Sequence, residues 1–204
     1  GAQYGTYGTF AYSAEAFYLS HPGQRPNNDM EMLSFDLKLQ QQITPKDSVY
    51  AQIIGYHVNS GDTAQYYDPT NAHTGYRAQE TQEPMLVFGY HREWSPELHT
   101  LLLGGVLNDT FEVTDTNQPV LFLKRNVAGK VISVPAFALP RTSLDYGSEF
   151  NAITLEGQQI WQPGRHTVIG GARYQHGDFD TRAAQGKVPA TLFWDRTSFS
   201  APAS

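Results

Sequence analysis

The chain contains no cysteine. That excludes a disulfide framework and any thiolate metal site, and it leaves the redox compartment unread. It has no apolar run approaching the roughly 20 residues of a membrane helix, and no window with helical periodicity. Basic charge is scarce: 14 Lys and Arg against 20 Asp and Glu leave a net charge of −6, with no basic stripe. Nucleic acid is therefore not an expected partner. No signal peptide opens the sequence, so a mature form, a fragment and a non-exported protein are the expectations.

What is present points to strands. Aromatics make up 13% of the 204 residues, Tyr alone numbers 12, and 18 Gly and 12 Pro supply material for many turns. Aromatic side chains fit a pleated, half-covered surface better than a helix. The length suits one sizeable all-β domain, here taken as residues 1–204 with a flexible tail at 200–204. Mean hydropathy is −0.45, as in soluble proteins. Strands that alternate lipid-facing with water-facing residues average to the same value, so hydropathy does not separate the two.

One proline-centred turn recurs three times. Ile43-Thr44-Pro45-Lys46, Trp94-Ser95-Pro96-Glu97 and Trp161-Gln162-Pro163-Gly164 each join two segments of strand length. Proline presets φ for a tight turn and cannot donate to a ladder, so it belongs between strands. Around these turns the sequence alternates. Leu33, Phe35, Leu37 and Leu39 face away from Met32, Ser34, Asp36, Lys38 and Gln40. Leu86, Phe88, Tyr90 and Trp94 share a face, as do Leu101, Leu103 and Leu107 with Gly105. Ile153, Leu155 and Trp161 oppose Thr154, Glu156 and Gln158, while Val168 and Tyr174 oppose Arg173. Thr9 to Leu19 and Thr191 to Phe199 read as first and last strands. The spacing predicts an antiparallel up-and-down meander of about eight strands, either a closed β-barrel or part of a larger one.

The connections alternate too. Short turns at Pro45, Pro96 and Pro163 take turns with longer stretches at 20–29, 59–83, 109–148 and 177–190, so short turns collect at one end and long loops at the other. Within 109–148, Val120-Leu121-Phe122-Leu123 and Val131-Ile132-Ser133-Val134 flank Ala128-Gly129 and predict a small hairpin.

This pattern resembles a Gram-negative outer-membrane β-barrel, with short periplasmic turns and long extracellular loops. More narrowly, Glu83-Pro84 leading to Trp94-Ser95-Pro96, and Gln158-Gln159-Ile160-Trp161 leading to His166-Thr167-Val168 and Gly170-Gly171-Ala172-Arg173-Tyr174-Gln175, are similar to the barrel segment that follows tetratricopeptide repeats in some large bacterial proteins. The resemblance covers roughly residues 7–180, and no repeat helices accompany it here. Such barrels commonly finish on an aromatic, whereas Phe199 is followed by further residues, which leaves a complete eight-stranded barrel and part of a larger one both open.

The resemblance implies a location in the bacterial outer membrane, lipid as the main partner with a periplasmic or surface protein as a further one, and a non-enzymatic role as anchor, surface-interaction scaffold or diffusion pore. Leu33, Phe35, Leu37, Leu86, Phe88, Leu155 and Val168 would face lipid. Asp36, Lys38, Glu156 and Arg173 would line a polar interior, and Trp94 and Trp161 would sit at the lipid–water interface.

The alternative is a soluble secreted all-β module that binds a ligand such as a glycan through its long loops, with Tyr66, Tyr67 and Tyr76 as stacking candidates. No cofactor, catalytic residue or metal ligand is expected. No Gly-x-Ser-x-Gly elbow occurs, and His91-Arg92-Glu93 has no Ser beside it. His99 and His166, which occupy equivalent turn exits, read as interface or cap residues before a metal-binding pair. His176-Gly177-Asp178-Phe179-Asp180 reads as a turn, and Asp62, Asp68 and His73 as a solvated loop, each before any cation site.

Overall fold

A computed structural model describes residues 1–64, 72–119, 123–125, 127–133 and 141–186. Every regular element among them is a β-strand: β1 (Ala2–Tyr7), β2 (Phe10–His21), β3 (Met30–Thr44), β4 (Asp47–Ser60), β5 (Tyr76–Ser95), β6 (Leu98–Pro119), β7 (Leu123–Arg125), β8 (Val131–Ser133), β9 (Arg141–Trp161) and β10 (Val168–Gln185). Eight of them form one antiparallel sheet in the order β1-β2-β3-β4-β5-β6-β9-β10. β7 and β8 pair with each other as the small hairpin expected around Gly129, whose φ of 77° needs a glycine.

The sheet is a single layer. Among the described residues each strand of the large sheet contacts its hydrogen-bonded neighbours alone, and β1 and β10 form its two edges without touching each other. Among the described residues Val113 is the one buried apolar side chain. A soluble sheet buries one face against a second layer. Among the described residues neither face has one.

Three expected turns are in place. Pro45-Lys46 joins β3 to β4, Pro96-Glu97 joins β5 to β6, and residues 162–167 join β9 to β10. In the first two hairpins the register shifts beside the turn. A proline turn of the common hand splays its strands, and a bulge restores the twist. A fourth short turn lies at the same end, where Gly8, with φ 59°, links β1 to β2.

The strand bounds differ from the sequence expectation. β1 is a strand that the alternation between Thr9 and Leu19 did not include, and Thr191 to Phe199 lies outside the described residues. The loops expected at 59–83 and 109–148 are narrower. Residues 76–83 belong to β5, 109–119 to β6 and 141–148 to β9. The stretch 177–185, expected as a connection, is the second half of β10. These pieces mix polar residues into both faces, so they lack the apolar contrast by which a strand is recognised. The long connections of the sheet are thus 22–29, 61–75 and the segment between β6 and β9, all at the end opposite the four turns.

Candidate functional site

Register assigns every strand residue to one of two faces. On the first, cross-strand rows read Ala14–Leu37–Ile53–Leu86–Val106–Ile153 and Tyr12–Leu39–Ala51–Phe88–Gly104–Leu155–Tyr174. Leu33, Phe35 and Val168 lie on this face as well. All seven residues expected to face lipid therefore share one continuous apolar belt. It is exposed: Phe88 is 61% accessible and Leu155 53%.

The opposite face carries Asp36, Lys38, Glu156 and Arg173, together with Gln52, Tyr50, His91 and Gln158. Lys38 Nζ lies 2.7 Å from Asp36 Oδ2, and Gln52 Nε2 donates to Asp36 Oδ1 at 2.9 Å. Arg173 donates to Glu156 Oε2, and Gln158 to Glu156 Oε1. The Asp36 and Glu156 side chains are only 25% and 15% accessible. These two carboxylates are thus better covered than Phe88 and Leu155 on the other face. Among the described residues no second layer covers either face, so that coverage comes from lateral neighbours such as Lys38, Gln52, Gln158 and Arg173. Leu101, Leu103 and Leu107 also lie on the charged face, where His91, Ser48, Tyr50, Glu156 and Gln158 border a hollow of about 330 Å³.

At the short-turn end the belt gives way to a polar row, Asp47–Arg92–Thr100–Gln159. Asp47 binds Arg92 at 2.8 Å, and Thr100 donates to Gln159 at 2.7 Å. Trp94 and Trp161 stand beside this row on the apolar face, 53% and 51% exposed. Trp94 donates Nε1–H to Thr100 Oγ1 at 2.8 Å, with the Arg92 guanidinium 4.3 Å from its ring centroid. Trp94 thus combines an apolar body with a polar rim.

At the long-loop end the two faces exchange character. Beyond Val106, Ile153 and His176, the belt side of β6, β9 and β10 continues as Asn108, Thr110 and Glu112, then Asn151 and Glu149, then Asp178 and Asp180. The other side of the same strands takes up Phe111, Val113, Tyr146, Phe150 and Phe179 among Asp109 and Ser148. Phe150 meets Phe179 edge-on at 6.1 Å, and Phe111 meets Tyr146 at 6.2 Å. Sequence reasoning missed this inversion, because it falls in stretches assigned to loops.

The loops of this end are tied together. Asn27, at φ 57°, donates to the carbonyls of His73 and Tyr76 at 2.8 and 2.7 Å. Asp62, 5% exposed, accepts from the amides of Ala64 and His73 and lies 3.6 Å from Arg25. His73 Nδ1 lies 3.0 Å from Oδ2 of Asp115, which is 1% exposed. At the rim Arg77 binds Asp29 at 2.6 Å, and that hydrogen bond with its charge holds the Asp29 carboxyl below its usual range. Asp62 and His73 are therefore parts of a brace rather than a solvated loop. Asp68, Tyr66 and Tyr67 lie outside the described residues.

His99 pairs with His91, whereas His166 is exposed in the β9–β10 turn with its amide on the Pro163 carbonyl. His176 to Asp180 is strand, not turn. Its two carboxylates, Asp178 and Asp180, stand on one face of the strand. No cluster of three or more metal-capable His, Asp or Glu side chains occurs among the described residues. Compared with known protein families, curated proteins and solved structures, the chain matches none.

Proposed function

We propose that this chain is a stretch of the wall of a Gram-negative outer-membrane β-barrel and that it serves, without enzymatic chemistry, as part of a diffusion pore. The observation that carries the reading is the inversion of polarity along β6, β9 and β10. An apolar belt meets lipid, and the outward residues turn polar at one level across three adjacent strands. A tilted strand needs about 9–11 residues to cross a bilayer. β5, β6, β9 and β10 run 18 to 22 residues, enough to cross and then stand clear of it.

The charged face then lines the interior, with Asp36, Lys38, Glu156 and Arg173 meeting water. Trp94 and Trp161 take the interface at the short-turn end. Lipid supplies no hydrogen bonds, so a spanning sheet must close and leave no edge. With β1 and β10 apart, the strands that close it come from outside the described residues, and the barrel then exceeds eight strands. Eight strands give an interior that side chains fill, and larger barrels leave an aqueous channel. That favours a pore over a simple anchor. A soluble ligand-binding module would need a second layer over the belt.

The test is folding into detergent micelles, read as a heat-modifiable band on a gel, followed by conductance across a planar bilayer. Detergent-dependent folding with stepwise conductance is the expected result. A monodisperse β-protein in plain buffer overturns the reading.

A further inference from the structure

Near the short-turn end of the charged face, two imidazoles lie side by side. His91 of β5 and His99 of β6 have ring centroids 5.2 Å apart and planes within 17° of parallel. His91 Nε2 is 3.0 Å from His99 Nδ1. The far nitrogen of His99, Nε2, lies 3.3 Å from the Pro96 carbonyl, and an N–H there donates to it. In the neutral ring this leaves Nδ1 a bare lone pair aimed at His91. The turn backbone therefore holds His99 in the tautomer of a metal-binding histidine, whose second ring N–H sits on a carbonyl.

Two nitrogens held cis on one ion at about 2.0–2.1 Å lie about 3.0–3.4 Å from each other. The observed separation already matches. Glu93, across the ladder from His99, adds negative charge on the same face. Both imidazoles are partly exposed, so an ion can reach them.

We propose that His91 and His99 form a binding site for a borderline divalent transition-metal ion, Cu²⁺ ahead of Ni²⁺ and Zn²⁺. The ion takes His91 Nε2 and His99 Nδ1 as cis ligands and water fills its other positions, while the proton that His91 Nε2 donates to His99 passes to His91 Nδ1, so that each neutral ring keeps one N–H. With two protein ligands the site is open and exchangeable. It rests on the geometry of one hairpin and not on the membrane reading.

The test is Cu²⁺ titration of the folded chain, followed by electron paramagnetic resonance. One equivalent with two-nitrogen coupling is expected. In His91→Gln and in His99→Gln, apparent affinity falls at least tenfold and the two-nitrogen signature is lost. His166→Gln retains both. A two-nitrogen signal that survives in folded His99→Gln overturns the proposal, as does a folded wild-type chain that binds no Cu²⁺. A second measurement needs only the wild type: Zn²⁺ slows carbethoxylation of His91 and His99, read by mass spectrometry, relative to the other histidines. Equal protection of all seven histidines, or none, also overturns it.

Discussion

The Phe35 ring lies over Gly55, its cross-strand partner, so closely that a Cβ placed at Gly55 would stand 2.6 Å from Phe35 Cε1. The same device recurs along the belt, where Leu155 covers Gly104 and Leu102 covers Gly157. Large apolar groups thereby shield bare backbone on the exposed face. Gly55→Ala only turns aside the far end of a ring that is 40% exposed, and its expected cost is below about 1 kcal/mol. At Gly171 the wall is backbone, with the Gly157 carbonyl oxygen 2.5 Å from the built Cβ. Gly171→Ala should cost about 1–3 kcal/mol. Urea titration of the folded chain, read by tryptophan emission, ranks the two.

Neighbouring residues 154 and 155 separate the faces most cleanly. Leu155→Arg puts a cation on the belt and should cost about 2–4 kcal/mol if that row lies near a bilayer midplane. Thr154→Asp adds a charge to the side that already holds Glu156 and Arg173, and folding should survive it. Equal losses of the heat-modifiable band in both variants would mean that both faces are dry.

Asn27 tests the brace. Its side chain holds the carbonyls of His73 and Tyr76, and its backbone is left-handed at φ 57°. Asn27→Ala loses both bonds and strains the turn, at an expected local cost of about 1–3 kcal/mol. Asn27→Gly removes the strain but not the lost bonds. Limited proteolysis should cut near 22–29 and 61–75 faster in both variants, and faster in Ala than in Gly.

The Asp29–Arg77 pair sets a pH dependence. Its carboxyl titrates below the ordinary 3.8 because Arg77 hydrogen-bonds it. A depressed folded value means the pair stabilises above that ordinary value and is lost as pH falls through the folded one. Both side chains are about half exposed, 48% and 40%, so the gain is under about 1 kcal/mol and weakens with salt. Hydrogen exchange at residues 22–29 should be faster in Arg77→Gln than in the wild type at pH 6. The two should converge as pH falls below the ordinary 3.8 and through the lowered folded value.

The meander was legible because Leu33 to Leu39 alternate without a break and because Pro45, Pro96 and Pro163 fix where strands reverse. Asp36, Lys38, Glu156 and Arg173 fell on one face because period two leaves no choice once a strand is recognised. Where neither face is consistently apolar, as at 76–83, 109–119 and 141–148, the same rule had nothing to act on. β1 was missed because Gln3-Tyr4-Gly5-Thr6 offers too short a pattern. His91 and His99 face each other only through a two-residue turn whose register shift no periodicity announces. The brace joins residues as far apart as Asn27 and Tyr76, and contacts of that range leave no local mark.

The exchange of character between the two faces has a consequence for depth. A slip of one residue would turn each strand over, and the error would appear at both levels at once, with charge in the apolar belt at one level and aromatics in the polar face at the other. A slip of two keeps the faces but shifts the crossover by about 6.6 Å in that strand alone. Asn108, Asn151 and Asp178, now level on adjacent strands, would then fall out of line. Sequence thus gives the sheet a level as well as two faces, and each strand carries its own mark of where along its neighbours it must stand.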